Sequence, residues 1–214
     1  SGVRPLEYSG AKTTGQISRN HTIQVLSGVW TGQSYPIYSL VGGKWTSFRA
    51  FAEEVTDKAL DFLEMTRKKN TVALAIGGGR NFEQRKDERR QQLEGIAAWT
   101  NLSLDRLDEL YQRYGTRVEE VAMFISKDND MPLVSHPNYS RGEIIFLAMQ
   151  EKVTRLDDLI LRRTHIAKLG MLTRPLLEEL AVILQETLGW TDERTKAELK
   201  RTVEIMANKH QVTL

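Results

Sequence analysis

The hydrophobic pattern of this chain changes period once, and that change limits the fold more than any other feature. His21-Thr22-Ile23-Gln24-Val25-Leu26 alternates with period two, and Tyr35 to Val41 is a short apolar run that stops at Gly42-Gly43. Both predict strands, joined by a Gly- and Ser-rich turn around residues 28–34. Immediately afterwards Phe48, Phe51, Ala52, Val55, Ala59, Phe62 and Leu63 recur at helical spacing. They form one apolar stripe on an amphipathic helix of about 18 residues, with Trp45, Thr46 and Ser47 at its opening. Residues 66–84 read as a connection, in which Arg67-Lys68-Lys69-Asn70 ends the helix and Gly77-Gly78-Gly79 makes a bend. From residue 86 onward the spacing is helical throughout, giving roughly seven helices with no strand signal. The expected fold is mainly α with a small β part (α+β). Its expected divisions are 1–66, a linker over 67–85, and a multi-helix domain over 86–214.

Local signals mark the helix ends. Thr116-Arg117-Val118-Glu119 and Ser140-Arg141-Gly142-Glu143 have the spacing of capping boxes, and Thr154-Arg155-Leu156-Asp157 is a weaker variant. Thr191-Asp192-Glu193 opens the last helix with acids in its first turn, which suits the helix dipole. Gly115, Gly170 and Gly189 stand where helices should stop.

Charge and composition exclude several classes. The 214 residues carry 30 basic and 28 acidic side chains, a net charge of +2, too near balance for a strongly basic nucleic-acid binder. The densest charge run, Arg85 to Arg90, mixes both signs and reads as a solvated helix start. With no cysteine there is no disulfide, thiolate metal site or thiol nucleophile, which suits a reducing compartment. The hydrophobic fraction of 40% supports a real core. No apolar run approaches the ~18 residues that span a membrane. The start Ser1-Gly2-Val3-Arg4-Pro5 lacks a signal peptide and reads as the middle of a longer polypeptide.

The chemistry concentrates where strand hands over to helix. Gly42-Gly43-Lys44-Trp45-Thr46 gathers backbone N–H groups, an ammonium and a hydroxyl at a helix start, a suitable place for an anion or a polarised carbonyl. It lacks the spacing of a phosphate-cradling P-loop, and Gly77-Gly78-Gly79-Arg80 lacks that of a dinucleotide fingerprint. Taken alone, the first motif reads more readily as a plain turn. Arg4, extended by Pro5, and Arg19 are candidate oxyanion clamps or ordinary surface arginines. His21 is a candidate base or an ordinary polar residue. His136, His165 and His210 show no metal-ligand spacing, and no metal site is expected.

Three ordered motifs carry a resemblance: Gly2-Val3-Arg4-Pro5-Leu6, Ile17-Ser18-Arg19-Asn20-His21, and Ser39 through Gly42-Gly43-Lys44-Trp45-Thr46-Ser47-Phe48-Arg49. They resemble those of the FAD-dependent glycerol-3-phosphate dehydrogenase and α-glycerophosphate oxidase family. Leu110 to Gly115, Arg155 to Thr164 and Leu188-Gly189-Trp190 resemble its C-terminal helical domain. Ala75-Ile76-Gly77-Gly78 departs from the family's usual Leu-Pro-Gly-Gly.

The resemblance implies that 1–66 is the end of an FAD- and substrate-binding domain whose Rossmann-like half is absent. It implies oxidation of sn-glycerol 3-phosphate to dihydroxyacetone phosphate by hydride transfer to flavin, with electrons passing to quinone. Arg4 and Arg19 are then expected to bind the substrate phosphate and Lys44 to stand at the reacting centre. Gly42, Gly43, Lys44, Trp45 and Thr46 are expected to contact FAD. Arg49 either supports the site or pairs with a neighbour. Asp157, Asp158, Arg162 and Arg163 read as structural ion pairs. The chain alone is expected to be cofactor-free and inactive. The parent is expected in the cytoplasm, with peripheral contact at the inner face of the cell membrane and a homodimer left open. The competing reading is a non-enzymatic helical interaction module.

Overall fold

The computed structural model describes residues 10–13, 16–18, 20–26, 32–42, 44–128 and 130–214, with Trp45 and Asp128 described by backbone alone. The chain forms two compact units, Ser1–Leu74 and Ala75–Leu214.

In the first unit, β1 (His21–Leu26) and β2 (Ile37–Gly42) pair antiparallel, His21 opposite Gly42 and Leu26 opposite Ile37. The alternation and the apolar run thus give the hairpin they predict, and the turn at 27–31 lies outside the described residues. A 3-10 turn, Trp45–Ser47, leads into α1 (Phe48–Phe62). The Tyr38 hydroxyl donates to the Lys58 carbonyl at 2.9 Å, and the His21 ring stacks on Phe51 at 4.3 Å, so hairpin and helix are fastened at two points. Phe51 is the only buried apolar side chain of this unit among the described residues. Most of the α1 stripe stays open, with Phe48, Phe62 and Leu63 at least half exposed.

The second unit holds the core. Its helices are α2 (Lys86–Thr100), α3 (Leu104–Tyr114), α4 (Val118–Ile125), α5 (Arg141–Gln150), α6 (Leu156–Asp158), α7 (Arg174–Leu188) and α8 (Asp192–His210). A π-helical turn, Leu159–Arg163, continues α6. Leu107, Leu110, Val121, Ile144, Leu156, Ile160, Leu177 and Leu180 are wholly buried where the helices meet, a single apolar centre for the whole bundle. The mainly α expectation holds, as does the helix count. Ser140 and Thr191 cap α5 and α8, accepting from the N–H groups of Glu143 and Arg194.

Three caps differ from their sequence reading. Thr116 does not cap α4: its hydroxyl donates to the Arg80 carbonyl at 3.0 Å, because a 3-10 turn, Gly115–Arg117, joins α3 to α4 without a break. Glu143 does not reach back to its cap. It is fully buried and accepts from Arg106 at 2.9 Å, from Arg113 at 2.8 and 3.0 Å, and from the Tyr114 hydroxyl at 2.7 Å. In the weaker variant the returning acid is Asp158, one residue later, which accepts from the Arg155 N–H at 3.1 Å.

The span 67–85 is divided between the units. Arg67 and Thr71 bind back onto α1. Gly77-Gly78-Gly79 is more than a bend, because Gly78 crosses Gly115 backbone to backbone. The Thr116 N–H donates to the Gly78 carbonyl at 3.0 Å. A Cβ on Gly78 would lie 2.2 Å from the Tyr114 carbonyl oxygen, and one on Gly115 2.1 Å from that of Gly78. Both glycines also have positive φ. Only two residues without Cβ atoms can cross this closely.

Gly115→Ala is therefore expected to cost about 3 kcal/mol or more, combining left-handed strain with backbone overlap. Gly170→Ala, at φ +69 with nothing within 4 Å of the added carbon, should cost about 1 kcal/mol. Native-state hydrogen exchange at the buried Leu110 and Val121 amides measures both, and equal costs would show that the crossing carries no load.

Candidate functional site

At the exit of β2 the backbone turns sharply. Gly42 ends the strand at φ +75, a conformation glycine adopts without steric cost. Lys44 follows in extended conformation, φ −93 and ψ 147, at the N-cap of the 3-10 turn. Its carbonyl accepts from the Ser47 N–H at 3.1 Å and the Ser47 hydroxyl at 3.2 Å, which closes the turn and leaves the Lys44 side chain outside it. Lys44 and Thr46 are exposed, and Lys44 has no ion-pair partner among the described residues. Gly42, Lys44 and Thr46, close in sequence, lie at this one turn. Arg4, Arg19 and Gly43 lie outside the described residues, as does the side chain of Trp45.

His21, a weak candidate by sequence, stands directly across the ladder from Gly42. Its ring is held by contacts that no local pattern encodes. One face stacks on Phe51, and Nε2 lies 3.1 Å from the Glu54 carboxylate. The partner is 33 residues away in sequence, so only the fold reveals it. This stacked pair ties the strand bearing Gly42's neighbour to the first turns of α1, and so fixes the turn that carries Lys44.

Arg49 is committed elsewhere. It donates to the carbonyls of Thr71 and Leu74, the latter at 2.6 Å, and so serves as a neighbour's anchor. Arg67 joins in, donating to Asp57 at 2.7 Å and to the Glu53 carbonyl at 2.9 Å. The returning segment leaves a groove of about 530 Å³ along α1, floored by Phe48, Ala52, Leu60, Met65 and Leu74. Glu53 holds the segment's far side: the Thr71 N–H donates to it at 2.8 Å and the Thr71 hydroxyl at 2.9 Å. Those two bonds, with Arg67 beside them, keep Glu53 below the usual carboxylate range against the opposing effect of burial.

In the helical unit, Asp157 and Asp158 are ion-paired as expected. Asp157 lies against Arg201 and Arg162, and Asp158 lies 3.0 Å from Arg162. Burial works against the Asp157 charge, but Arg201 and then Arg162 outweigh it and lower its pKa. Arg163 has no carboxylate partner among the described residues; its Nε donates to the Glu151 carbonyl at 2.8 Å.

Comparison with known proteins places the chain among relatives. Residues 69–195 match the family described as the C-terminal domain of alpha-glycerophosphate oxidase. The chain is 25% identical over 195 residues to glycerol-3-phosphate dehydrogenase 2 of Mycobacterium tuberculosis, covering 89% of this chain and 32% of that protein. It is 27% identical over 209 residues to the mitochondrial glycerol-3-phosphate dehydrogenase of Mus musculus, covering 94% of this chain and 27% of that protein. The chain therefore spans about a third or less of the length of these relatives. A solved structure of the glycerol-3-phosphate dehydrogenase from Bacillus halodurans, complexed with FAD, shares the fold at TM-score 0.58 and 18% identity. That match covers 78% of this chain and 37% of that one.

The Glu53 clasp has a pH signature. Its folded pKa lies below the ordinary 4.5, so the clasp contributes fully above 4.5 and is lost as pH falls through the lower folded value. The Thr71 amide resonance should titrate with a midpoint below 4.5, and Glu53→Gln should abolish that step. A midpoint at or above the ordinary value would break the assignment.

Proposed function

The chain belongs to the family of the alpha-glycerophosphate oxidase C-terminal domain, and from that membership we propose that it is the C-terminal part of an FAD-dependent glycerol-3-phosphate dehydrogenase. The parent oxidises sn-glycerol 3-phosphate to dihydroxyacetone phosphate and passes its electrons to quinone. The observation that carries this reading is Lys44, exposed and without an ion-pair partner among the described residues, at the turn beside Gly42. An ammonium is placed in the open there by a closed 3-10 turn, rather than paired into the fold.

The residues at this turn suit contact with a flavin ring and its sugar-alcohol chain. Gly42 leaves the backbone approachable, Thr46 offers a hydroxyl, and Gly43 and Trp45 complete the motif in sequence. Nothing in the turn has the spacing that grips a pyrophosphate. The chain by itself is accordingly proposed to be cofactor-free and inactive, lining one side of a pocket whose other side comes from the nucleotide-binding half. The open apolar side chains of α1, Phe48, Phe62 and Leu63, suit a domain completed by further polypeptide.

Bound flavin supplies the hydride acceptor for C2 of the substrate. This chain's own residues supply position and charge. Arg4 and Arg19 clamp the substrate phosphate, and that remote binding energy orients C2. Lys44 offers fixed positive charge where electron density rises as C2 is oxidised. The His21–Glu54 pair keeps β1 and α1 in register around the turn, so the ammonium stays aimed. The parent is proposed to be cytoplasmic, with peripheral contact at the inner face of the cell membrane.

In a chain carrying both halves, Lys44→Met should lower kcat/KM for glycerol 3-phosphate by at least about 100-fold, the usual scale for removing one preorganised charge. Arg19→Gln should raise KM as well. Near-normal turnover in the Lys44 variant, with FAD bound, would end this assignment and favour the non-enzymatic assembly module.

A further inference from the structure

Four guanidinium groups line a cleft of about 240 Å³ in the helical unit, where the end of α3, the end of α5 and the π turn after α6 come together. Their donors are unequally committed. Arg113 is spent on Glu143 and, at 2.6 Å, on the Asn138 carbonyl. Arg117 grips Glu120 at 2.9 and 3.2 Å and gives Nη1 to Glu151 at 3.0 Å. Arg162 uses only Nη1, toward Asp158 at 3.0 Å and Asp157 at 3.4 Å. Arg163 uses only Nε, on the Glu151 carbonyl at 2.8 Å, and among the described residues it alone of the four has no carboxylate partner. Both of its terminal nitrogens are therefore unspent.

The frame around these donors is specialised. Arg162 and Arg163 sit on a π-helical turn, closed by the Thr164 N–H donating to the Leu159 carbonyl at 2.9 Å. Such turns are rare, and frequently lie at functional sites. Gly77 lines the cleft with bare backbone, a Cβ there meeting only the Arg117 side chain at 4.0 Å. Among the described residues Glu151 is the only acidic one lining it, and its carboxylate is engaged by Arg117.

We infer that this cleft of the helical unit binds a phosphate group through Arg163 and Arg162. Arginine forks match oxyanions bidentately. Two forks with open donors need more acceptor oxygens than the two of a carboxylate, and a phosphate monoester offers three. The cleft is too small for a folded partner, which leaves a phosphorylated small molecule or a lipid headgroup carrying the same chemistry.

The test uses the 214-residue chain with two probes: inorganic phosphate by calorimetric titration, and vesicles of phosphatidylcholine with and without phosphatidic acid by co-sedimentation. The expected result is saturable binding of at least one probe, weakened at least about tenfold by Arg163→Gln. Arg163→Lys should weaken it less, because charge remains without the fork. Arg90→Gln, which breaks only an exposed pair with Glu94, should bind as the parent chain does. Binding of phosphate identifies a small-molecule site, and binding of phosphatidic acid vesicles alone identifies a headgroup site. No binding of either probe overturns the inference. So does unchanged affinity in Arg163→Gln.

Discussion

One buried carboxylate organises the helical unit. Glu143 stands at 0% exposure in the first turn of α5, where an unpaired charge would cost several kcal/mol. Every approach to it is a donor: two arginines and a tyrosine from α3, while the Ser140 hydroxyl takes its backbone N–H. Burial, then the adjacent Glu143 charge, push the Tyr114 phenol up, so it stays a donor at any ordinary pH. Arg106 extends the network to Asp130 at 3.1 Å and Arg113 to the Asn138 carbonyl, with its guanidinium 4.0 Å over the Tyr139 ring. Apolar packing would tolerate several registers of α3 against α5; this set of directional bonds tolerates one. The end of α3 fixed in this way carries the Gly115 crossing and the back wall of the arginine cleft.

The two units are stabilised by different means. The helical unit has a continuous apolar centre around which polar groups are satisfied. Among its described residues the first unit buries only Phe51, and its hairpin, turn and helix are linked by point contacts: a stacked histidine, a tyrosine on a carbonyl, an arginine on two carbonyls. Point contacts hold geometry without excluding water. That suits a surface meant to meet something else, since the exposed Phe48, Phe62 and Leu63 offer the apolar area the unit leaves unburied.

The elements were legible because they are local. Period two gave β1, helical spacing gave α1 and the helices after residue 86, and side-chain caps at Ser140 and Thr191 fell where their residue types demand. The Lys44 turn was legible because its residues are consecutive. What escaped was whatever depends on distance. Glu143 has capping-box spacing after Ser140, but its side chain answers to arginines 30 and 37 positions earlier. His21 meets Glu54 across 33 positions. Gly77-Gly78-Gly79 looked like a break, and only the approach of Gly115 shows that it is a joint.

The near-balance of charge, +2 overall, hides a sorting of the cations by task. Most arginines of the helical unit are paired with carboxylates across helices or within a turn, where their forks act as structural ties. Such pairing neutralises them and leaves the total near zero. Lys44 and Arg163 are outside that scheme, each without a carboxylate partner among the described residues and each on an irregular turn rather than a helix face. A cation without a carboxylate partner adds no ion pair to the fold. It does lower the reorganisation needed to meet an anion, because its position is set before the ligand arrives. Net charge therefore argues against a nucleic-acid surface and says nothing against phosphate chemistry, for which one correctly placed fork is enough.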